Sequence, residues 1–416
     1  MNDAAPGPLA GLRVLELADH TGEFCGKLMA DLGADVIKIE PPGGQHTRRV
    51  GPFLHDRPHP ERSLSFWHYN TSKRGITLNL ERREGQELFR RLVPTADILL
   101  ETYAPQYLSG LGLGYEALSR LHAGLIMCSL TPFGQTGPWC QYQSSDLLHL
   151  AAGGQMALCG YDAADVPEVP PVAPGGGNAW HIGSHYAYMA ILAAVYYRDV
   201  TGEGQYIDVS VHEACALTTE AAVPIYVYTG RDGIRQTGRH ATPDPTPPTQ
   251  IATSDGGWVN LTRAGFNATP QRLRKLAAWM DQHGFVHDLL DDKYLNRAVD
   301  HTAHLTQLLQ RFFTHLGLDE AWRGGQEAGF PWGAVRCLDD ILDDPHLHDR
   351  DFFVEVEHPE LGVRFVYPGA AALYSDSPWR LSRRAPLIGE HNQEVLCGAL
   401  GLSRAELTVL AEAGVI

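Results

Sequence analysis

The first third of the chain alternates short apolar runs with segments whose apolar residues recur at helical spacing. The apolar runs predict strands at residues 13–17, 35–40, 75–80, 97–101 and 125–130. Segments 22–32 and 84–92 place apolar residues every three or four positions, which predicts amphipathic helices. Because strands separated by helices indicate βαβ units, this region is predicted to be doubly wound α/β with a parallel sheet.

The pattern changes in the second half. It predicts an apolar helix, a turn, a strand and a further helix at residues 186–198, 201–205, 206–210 and 211–228. The proline-rich stretch 241–249 is predicted to be extended, and we place a domain boundary in or just before it. Residues 250–330 then predict a smaller α/β domain. Residues 338–350 predict an acidic helix, followed by a short β segment and a C-terminal helix.

Composition narrows the class of protein. The chain has 416 residues, 44% of them hydrophobic, and a net charge of −16, so nucleic acid is not expected as a partner. No apolar run approaches the roughly 18 residues typical of a membrane span, and the N-terminus has no signal-peptide pattern. The seven cysteines are scattered without a C-x-x-C pair, which indicates reduced thiols and predicts a cytoplasmic protein.

Three short motifs carry candidate chemistry, and each has a structural alternative. Gly175-Gly-Gly177 precedes a predicted helix, where backbone N–H groups can bind a phosphate or an oxyanion, or it forms a plain tight turn. His181 and His185 lie four positions apart, a spacing that can bind a metal, but no third ligand is visible and no metal site is predicted. Lys73 and Arg74 either face an anionic ligand or are solvated in a loop.

Seven segments occur in order along nearly the whole chain: Gly11–Glu16, Ala30–Gly44, Asn70–Gly75, Thr131–Pro138, Arg198–Gln205 with Ile207–Ser210, Ala328–Pro331 and Pro386–Asn392. Together they resemble the family III CoA-transferases, the CaiB/BaiF family. The resemblance implies an enzyme that moves coenzyme A between carboxylic acids. It also implies an acyl-CoA and a carboxylic acid as its substrates.

The resemblance implies a Rossmann-like large domain built from both chain ends, a smaller α/β domain, and two such chains interlocked as rings in a dimer. The expected bounds are 1–228 for the first part of the large domain, 229–249 for a linker, 250–330 for the small domain, and 331–416 for a second linker with the rest of the large domain. The positions carried over as coenzyme A contacts are His20, Thr21, Leu78, Asn79, Leu80, Thr102, Tyr103, Thr131 and Phe133.

The sequence departs from the family at the expected reaction centre. The family uses an Asp whose carboxylate attacks the thioester, and counting back from Thr201 to that position reaches Trp180. Residues 170–198 contain no Asp or Glu. The Gly-His-Asp triplet of the related racemases is replaced by Ser144-Ser145-Asp146. Gly110 stands where the family commonly has an Arg.

Trp180 and His181 are therefore the candidate catalytic residues. His181 can act as a general base or be structural, and Trp180 can shape an acyl pocket or block one. Three hypotheses follow: a CoA-transferase with or without the usual aspartyl intermediate, a His-based acyl-CoA isomerase, lyase or hydrolase on the same fold, or a catalytically silent subunit paired with an Asp-bearing homologue.

Overall fold

The structure, a computed structural model, describes residues 5–219, 222–261, 268–296 and 302–416. Its strands, numbered in chain order, are β1 Arg13–Leu17, β2 Asp35–Glu40, β3 Arg74–Thr77, β4 Ile98–Glu101, β5 Ile126–Thr131, β6 Tyr206–Ser210, β7 Ile234–Gln236, β8 Arg239–Thr242, β9 Gln250–Ala252, β10 Trp258–Asn260, β11 Gly333–Ala334, β12 Phe353–His358 and β13 Val363–Pro368.

The helices are numbered in the same way. They are α1 Glu23–Asp31, α2 Leu64–Tyr69, α3 Arg83–Leu92, α4 Tyr107–Gly110, α5 Tyr115–Leu118, α6 Asp146–Ala152, α7 Gln155–Leu158, α8 Asn178–Thr201, α9 Val211–Leu217, α10 Ala222–Thr229, α11 Pro270–Gln282, α12 Asp292–Leu295, α13 Thr302–Phe313, α14 Leu318–Ala328, α15 Leu338–Leu342, α16 Pro345–Asp349, α17 Gly398–Leu400 and α18 Arg404–Glu412. Among the described residues, no helix combines the length and the apolar character needed to cross a membrane.

The strands β1 to β6 form one parallel sheet in the order β3-β2-β1-β4-β5-β6. This is the strand order of doubly wound dinucleotide-binding folds. Strands β1, β2, β4 and β5 are almost entirely buried, as expected for parallel strands that helices cover on both faces. The prediction of a parallel α/β fold is confirmed.

Several strand positions that face the interior are charged, and they are paired. Lys38 Nζ in β2 lies 3.0 Å from Glu16 Oε1 in β1 and 2.9 Å from Glu23 Oε1 in α1. Lys73 Nζ lies 2.7 Å from Glu16 Oε2. We call Glu16, Glu23, Lys38 and Lys73 the buried charge cluster, because all four are buried.

The chain divides into two compact units. Unit 1 contains the residues up to Gly153 together with Gly175–Thr218 and Pro345–Ile416. It therefore holds the parallel sheet and segments from both ends of the chain. Unit 2 contains Gly154–Pro174 and Thr219–Asp344. The domain bounds expected from the sequence stay a prediction.

Unit 2 has its own apolar core. The antiparallel strands β9 and β10 contribute to it together with α11, α13 and α14. Phe312, Phe330 and Trp332 are fully buried there. Gly325 is required at the contact between α14 and Trp332, because a Cβ on it would overlap the indole ring.

The structure differs from the sequence prediction at several element ends. The strand predicted over 75–80 ends at Thr77, because the N–H of Asn79 turns away from the sheet to bond Val415 O at 2.7 Å. The helix predicted over 211–228 is two helices, α9 and α10, and residues 220–221 between them lie outside the described residues. The helix predicted over 338–350 is also divided, since Pro345 begins a new helix and disfavours helical backbone at the residue before it.

The proline-rich stretch is anchored by one side chain. Residues 239–242 at its start pair as β8 with β7. Gln236 of β7 is buried and donates from Nε2 to Thr242 Oγ1 at 2.7 Å and to Asp244 O at 3.1 Å, while its Oε1 accepts the N–H of Thr246 at 2.7 Å. A single amide thus satisfies backbone groups that prolines leave without strand partners.

Candidate active site

The sheet reverses its winding between β1 and β4, since β1 pairs with β2 on one side and with β4 on the other. In doubly wound folds, ligands bind in the crevice outside the carboxyl ends of the strands at this point. A cavity of about 420 Å³ lies there. Its lining includes Asp19, His20, Thr21, Thr102, Tyr103, Asp146 and Trp180. The structure therefore brings together five residues predicted for the site: His20, Thr21, Thr102, Tyr103 and Trp180.

The loops that follow β1 and β4 are joined by hydrogen bonds. The backbone N–H of Asp19 donates to Thr102 Oγ1 at 2.9 Å, and the Thr102 hydroxyl donates to Asp19 Oδ1 at 3.0 Å. The same carboxylate oxygen accepts the N–H of Thr21 at 2.9 Å. Gly22 permits this close approach, because a Cβ on it would lie 2.8 Å from Thr102 Cγ2. These bonds fix the orientation of the Asp19 carboxylate at the cavity.

The first turn of α8 contributes to another side of the cavity. Gly177, which precedes α8, has a φ of 69°, a left-handed conformation that favours glycine. This turn presents Trp180, whose indole meets the His20 ring edge-on at 5.2 Å. The N–H of Ala179 donates to Asp146 Oδ1 at 2.8 Å. A carboxylate thus lies at the N-terminal end of a long helix, where the helix dipole favours negative charge.

Asp146 comes from α6, far from α8 in sequence. It occupies the first position of α6, and Ser145 caps that helix by accepting the N–H of Leu148 at 3.2 Å. Residues 170–198 contain no acidic residue, but Asp146 supplies a carboxylate to this part of the cavity. Asp146 accepts a hydrogen bond from Ala179, the neighbour in sequence of Trp180, and Trp180 is the position at which the family Asp is expected.

His181 lies against aromatic side chains rather than among the residues that line the cavity. Its ring stacks on Phe24 at 4.3 Å, and Nε2 lies 2.8 Å from the hydroxyl of Tyr69. Burial lowers the pKa of His181 below its usual range, with a further contribution from His185, so the ring is neutral near pH 7. Its role as a base stays a prediction. The Nδ1 of His185 contacts the carbonyl oxygen of His181 at 2.8 Å.

The other positions carried over as coenzyme A contacts lie elsewhere in unit 1. The side chains of Leu78 and Leu80 are buried in the apolar core, so only their backbone atoms are candidates for ligand contact. Asn79 donates from Nδ2 to Gly414 O at 3.3 Å. Thr131 is fully buried, and Phe133 packs on His149 with ring centroids 5.1 Å apart. None of these five residues is among those that line the cavity.

His149 is the unusual neighbour of Trp180. Its side chain is buried, the two ring centroids are 5.3 Å apart, and within the described parts of the chain neither of its ring nitrogens has a hydrogen-bond partner. Burial, with a smaller contribution from His212, lowers the pKa of His149 to about 4. A buried polar group without a partner costs stability. The residue that carries this cost packs edge-on against Trp180, which lines the cavity.

Three residues that carry the arguments about this region, Asp19, Asp146 and His46, were not among the sequence candidates. Ser145-Asp146 precedes an apolar stretch and carries a helix N-cap signal, which could have placed Asp146 at a helix start. His46 follows the carboxyl end of β2, an edge at which ligands bind in such sheets. Neither signal indicates that the two residues lie near the turns that follow β1.

The sheet order and the cavity at its reversal define a doubly wound α/β protein whose binding crevice lies at the carboxyl edge of the sheet. Residues 9–392 match the model of CoA-transferase family III. The chain is 34% identical over 397 residues to the succinyl-CoA:(R)-benzylsuccinate CoA-transferase subunit BbsE of Thauera aromatica, covering 93% of each chain. It is 33% identical over 418 residues to the succinyl-CoA–D-citramalate CoA-transferase of Chloroflexus aurantiacus, covering 99% of this chain and 98% of that one.

A crystal structure of a CAIB/BAIF family protein from Brucella suis is similar in fold, with a TM-score of 0.76 and 29% identity, over 95% of this chain and 100% of that one. The chain belongs to CoA-transferase family III. The family prediction made from the seven segments is confirmed. The protein is accordingly a CoA-transferase, and coenzyme A thioesters are its substrates.

Proposed function

We propose that the protein transfers coenzyme A from a dicarboxylic acyl-CoA of the succinyl-CoA type to a second carboxylic acid. The cavity at the carboxyl ends of β1 and β4 carries this proposal, because it joins four predicted coenzyme A contacts to a carboxylate. His20, Thr21, Thr102 and Tyr103 would contact the coenzyme A. The donor class comes from the two curated relatives, both of which are named for succinyl-CoA.

The chemistry needs a carboxylate that carries the acyl group between donor and acceptor, so that the energy of the thioester is not lost to water. Asp146 is the residue we propose for this step. One of its oxygens attacks the thioester carbonyl carbon, the C–S bond breaks, and coenzyme A leaves as a thiolate. The product is a mixed anhydride between Asp146 and the donor acid. The thiolate then attacks Cγ of Asp146, which releases the donor acid and leaves a coenzyme A thioester on the enzyme.

The second half runs the same steps with the acceptor. Its carboxylate attacks the Asp146 thioester and expels the thiolate, which then attacks the acceptor carbonyl. The new acyl-CoA leaves and the Asp146 carboxylate is restored. The N–H of Ala179, which donates to Asp146 Oδ1, supports this role because it holds the carboxylate in one orientation before the substrate arrives. Trp180 would form a wall of the acyl pocket.

The experiment is trapping with hydroxylamine after incubation with succinyl-CoA, followed by peptide mass spectrometry. We expect hydroxamate on Asp146 and a loss of transfer in Asp146→Asn of about 10⁴-fold or more, as for removal of other covalent nucleophiles. Asp19→Asn is the matched control in the same cavity, and it should still be labelled at Asp146. Labelling of another residue, or transfer that persists in Asp146→Asn, contradicts the assignment.

A second candidate function is that of one subunit in a heteromeric CoA-transferase. The curated relative from Thauera aromatica is named as a subunit, and Trp180 stands where the family Asp is expected. Exposed apolar side chains along α8, among them Met189, Tyr196 and Val200, support coverage of this helix by another chain. An interlocked dimer, of two copies or of this chain with a paralogue, would provide that cover.

Native mass spectrometry and transfer assays, with and without a co-expressed paralogue, separate the two functions. The subunit function predicts that the purified chain binds coenzyme A without transfer or hydroxamate formation, and that transfer appears with the paralogue. Transfer by the chain alone rules it out. A cytoplasmic location is part of the same proposal, and it is supported by seven cysteines that are all free thiols.

A further inference from the structure

Three metal-binding side chains meet beside the cavity. Asp19 and His20 follow β1, and His46 belongs to the 3-10 turn His46–Arg49 that follows β2. His46 Nε2 lies 3.4 Å from His20 Nδ1. Asp19 Oδ2 lies 3.8 Å from His20 Nδ1 and 4.0 Å from His46 Nε2. One carboxylate oxygen and two imidazole nitrogens thus converge on a single point, although only His20 had been a candidate for binding.

These separations match a metal coordination sphere. Zinc binds His nitrogen and Asp oxygen at about 2.0–2.2 Å, so donors at tetrahedral positions lie about 3.4 Å apart and donors on opposite sides about 4.2 Å apart. All three measured separations fall between these two values. The side chains are also accessible: the exposed fractions of His20, His46 and Asp19 are 47%, 57% and 25%.

The surroundings hold the donors in place before any ion binds. Asp19 Oδ1 is occupied by the Thr102 hydroxyl and the N–H of Thr21, which directs Oδ2 to the two imidazoles. A metal-binding carboxylate is commonly oriented in this way by hydrogen bonds to its other oxygen. His20 packs edge-on against Trp180 at 5.2 Å. Preorganised donors lose less conformational entropy when they bind an ion.

We propose that Asp19, His20 and His46 bind a divalent transition-metal ion, with Zn²⁺ as the natural occupant. Two imidazoles and a carboxylate suit Zn²⁺, Fe²⁺ or Co²⁺ rather than Ca²⁺ or Mg²⁺, which prefer oxygen donors. Three protein ligands leave at least one coordination position for another donor. Since Asp19 and His20 line the cavity, that position would accept an oxygen or sulfur atom of a molecule bound there.

The test is Co²⁺ binding by the full chain after removal of metal with EDTA, measured by equilibrium dialysis and by visible absorption of Co²⁺. We expect one Co²⁺ per chain, with the intense absorption of four- or five-coordinate Co²⁺, and displacement by one equivalent of Zn²⁺. His46→Ala and Asp19→Asn should each weaken binding by more than about 100-fold. Thr102→Val keeps all three metal ligands but removes the hydroxyl that bonds both the backbone N–H and the carboxylate of Asp19, so it should weaken binding by about 10- to 100-fold.

His59→Ala is the matched control, because His59 is an exposed histidine of the same unit outside the cluster. It should bind Co²⁺ like the parent. A parent protein that takes up no Co²⁺, or a His46→Ala variant that binds it with unchanged affinity and stoichiometry, overturns the proposal. The readout is independent of turnover, so failure of this proposal and failure of the proposed CoA-transferase function are separate results.

Discussion

Two sets of polar side chains can be compared at strand β1: one is buried and includes Glu16, and the other is accessible and begins just after the strand. Glu16 belongs to the buried charge cluster, in which every carboxylate faces a lysine. Asp19 lies just beyond the strand and belongs with His20 and His46 to a second set, which we call the open set. It is accessible and has no lysine or arginine partner among the described residues. The two sets use similar residue types. They differ in their partners: the carboxylates of the buried cluster have ion-pair partners within the protein, and the side chains of the open set do not have close ones in the part of the chain that the structure describes.

The pKa values of Lys38 and Glu23 show how strongly the buried charges are paired. Although burial opposes its charge, the carboxylates of Glu23 and Glu16 raise the pKa of Lys38 well above its usual range. Burial acts in the same way on Glu23, but Lys38 and Lys73 lower the pKa of that carboxyl. The pairing of Lys38 with Glu23 therefore favours the charged form of both groups, which identifies this pair as structural, whereas burial lowers the pKa of Lys73. In the open set, Asp19 Oδ2 and the facing nitrogens of His20 and His46 are joined only by long contacts of 3.4, 3.8 and 4.0 Å, which leaves them able to bind a metal ion.

The largest expected effect is the loss of one charge from the buried cluster. Lys38→Met leaves the carboxylates of Glu16 and Glu23 facing Lys73 alone, and an uncompensated buried charge costs about 3–5 kcal/mol. Urea unfolding of variant and parent measures the change in the free energy of unfolding. Lys38→Met combined with Glu23→Gln restores charge balance and should recover at least half of the loss. A single variant as stable as the parent would show that the cluster is hydrated and not structural.

The next effect is steric and tests how closely the buried cluster is packed. Gly26 of α1 faces Glu16, and a Cβ on Gly26 would overlap the Glu16 carboxylate and lie 3.1 Å from Lys73 Nζ. Alanine normally stabilises a helix relative to glycine by about 1 kcal/mol. Here we expect Gly26→Ala to destabilise by about 1–3 kcal/mol, because overpacking moves the ion pairs. Gly398→Ala, at an open helical position, is the control. Stabilisation by Gly26→Ala would refute the close contact.

A smaller effect tests His149 beside the cavity. Its pKa is lowered to about 4 in the folded chain. In the unfolded chain it returns to about 6.5. As the pH falls from about 6.5 towards 4, the unfolded chain therefore binds a proton that the folded chain excludes, and stability decreases.

His149→Phe should remove this part of the acid dependence. We expect the parent to lose about 1–2 kcal/mol more than the variant between pH 7 and 4.5, with allowance for solvent screening. Unfolding midpoints measured across this range give the comparison. Parallel pH profiles for the two proteins would mean that His149 has a hydrogen-bond partner, such as an ordered water, that keeps its proton affinity unchanged.

The smallest expected effect completes the comparison with the buried cluster. In metal-free protein, His46→Ala should change the free energy of unfolding by less than about 0.5 kcal/mol, because His46 is exposed. Thermal unfolding with EDTA present is the measurement. A loss comparable with that of Lys38→Met would show that the open set also supports the fold.

Much of the fold followed from periodicity. The runs at 13–17 and 35–40 are strands because nearly all of their side chains are buried between helices, and Lys38 did not disturb the pattern since its charge is neutralised inside. Element ends were less predictable. The end of β3 at Thr77 depends on a bond from Asn79 to the last residues of the chain, and no local pattern indicates that contact.

The sequence by itself determined the class of protein: the alternation of strands and helices and the seven ordered segments are local properties, readable without distances. It also led us to expect Trp180 where the family has its Asp, and that assignment stays a prediction. Only the tertiary structure placed Asp146 against the N-terminus of α8 and His46 against His20. These pairs are joined by packing of elements from distant parts of the chain, and a hydrogen bond or a set of metal ligands depends on positions within a few tenths of an ångström, which sequence spacing does not encode.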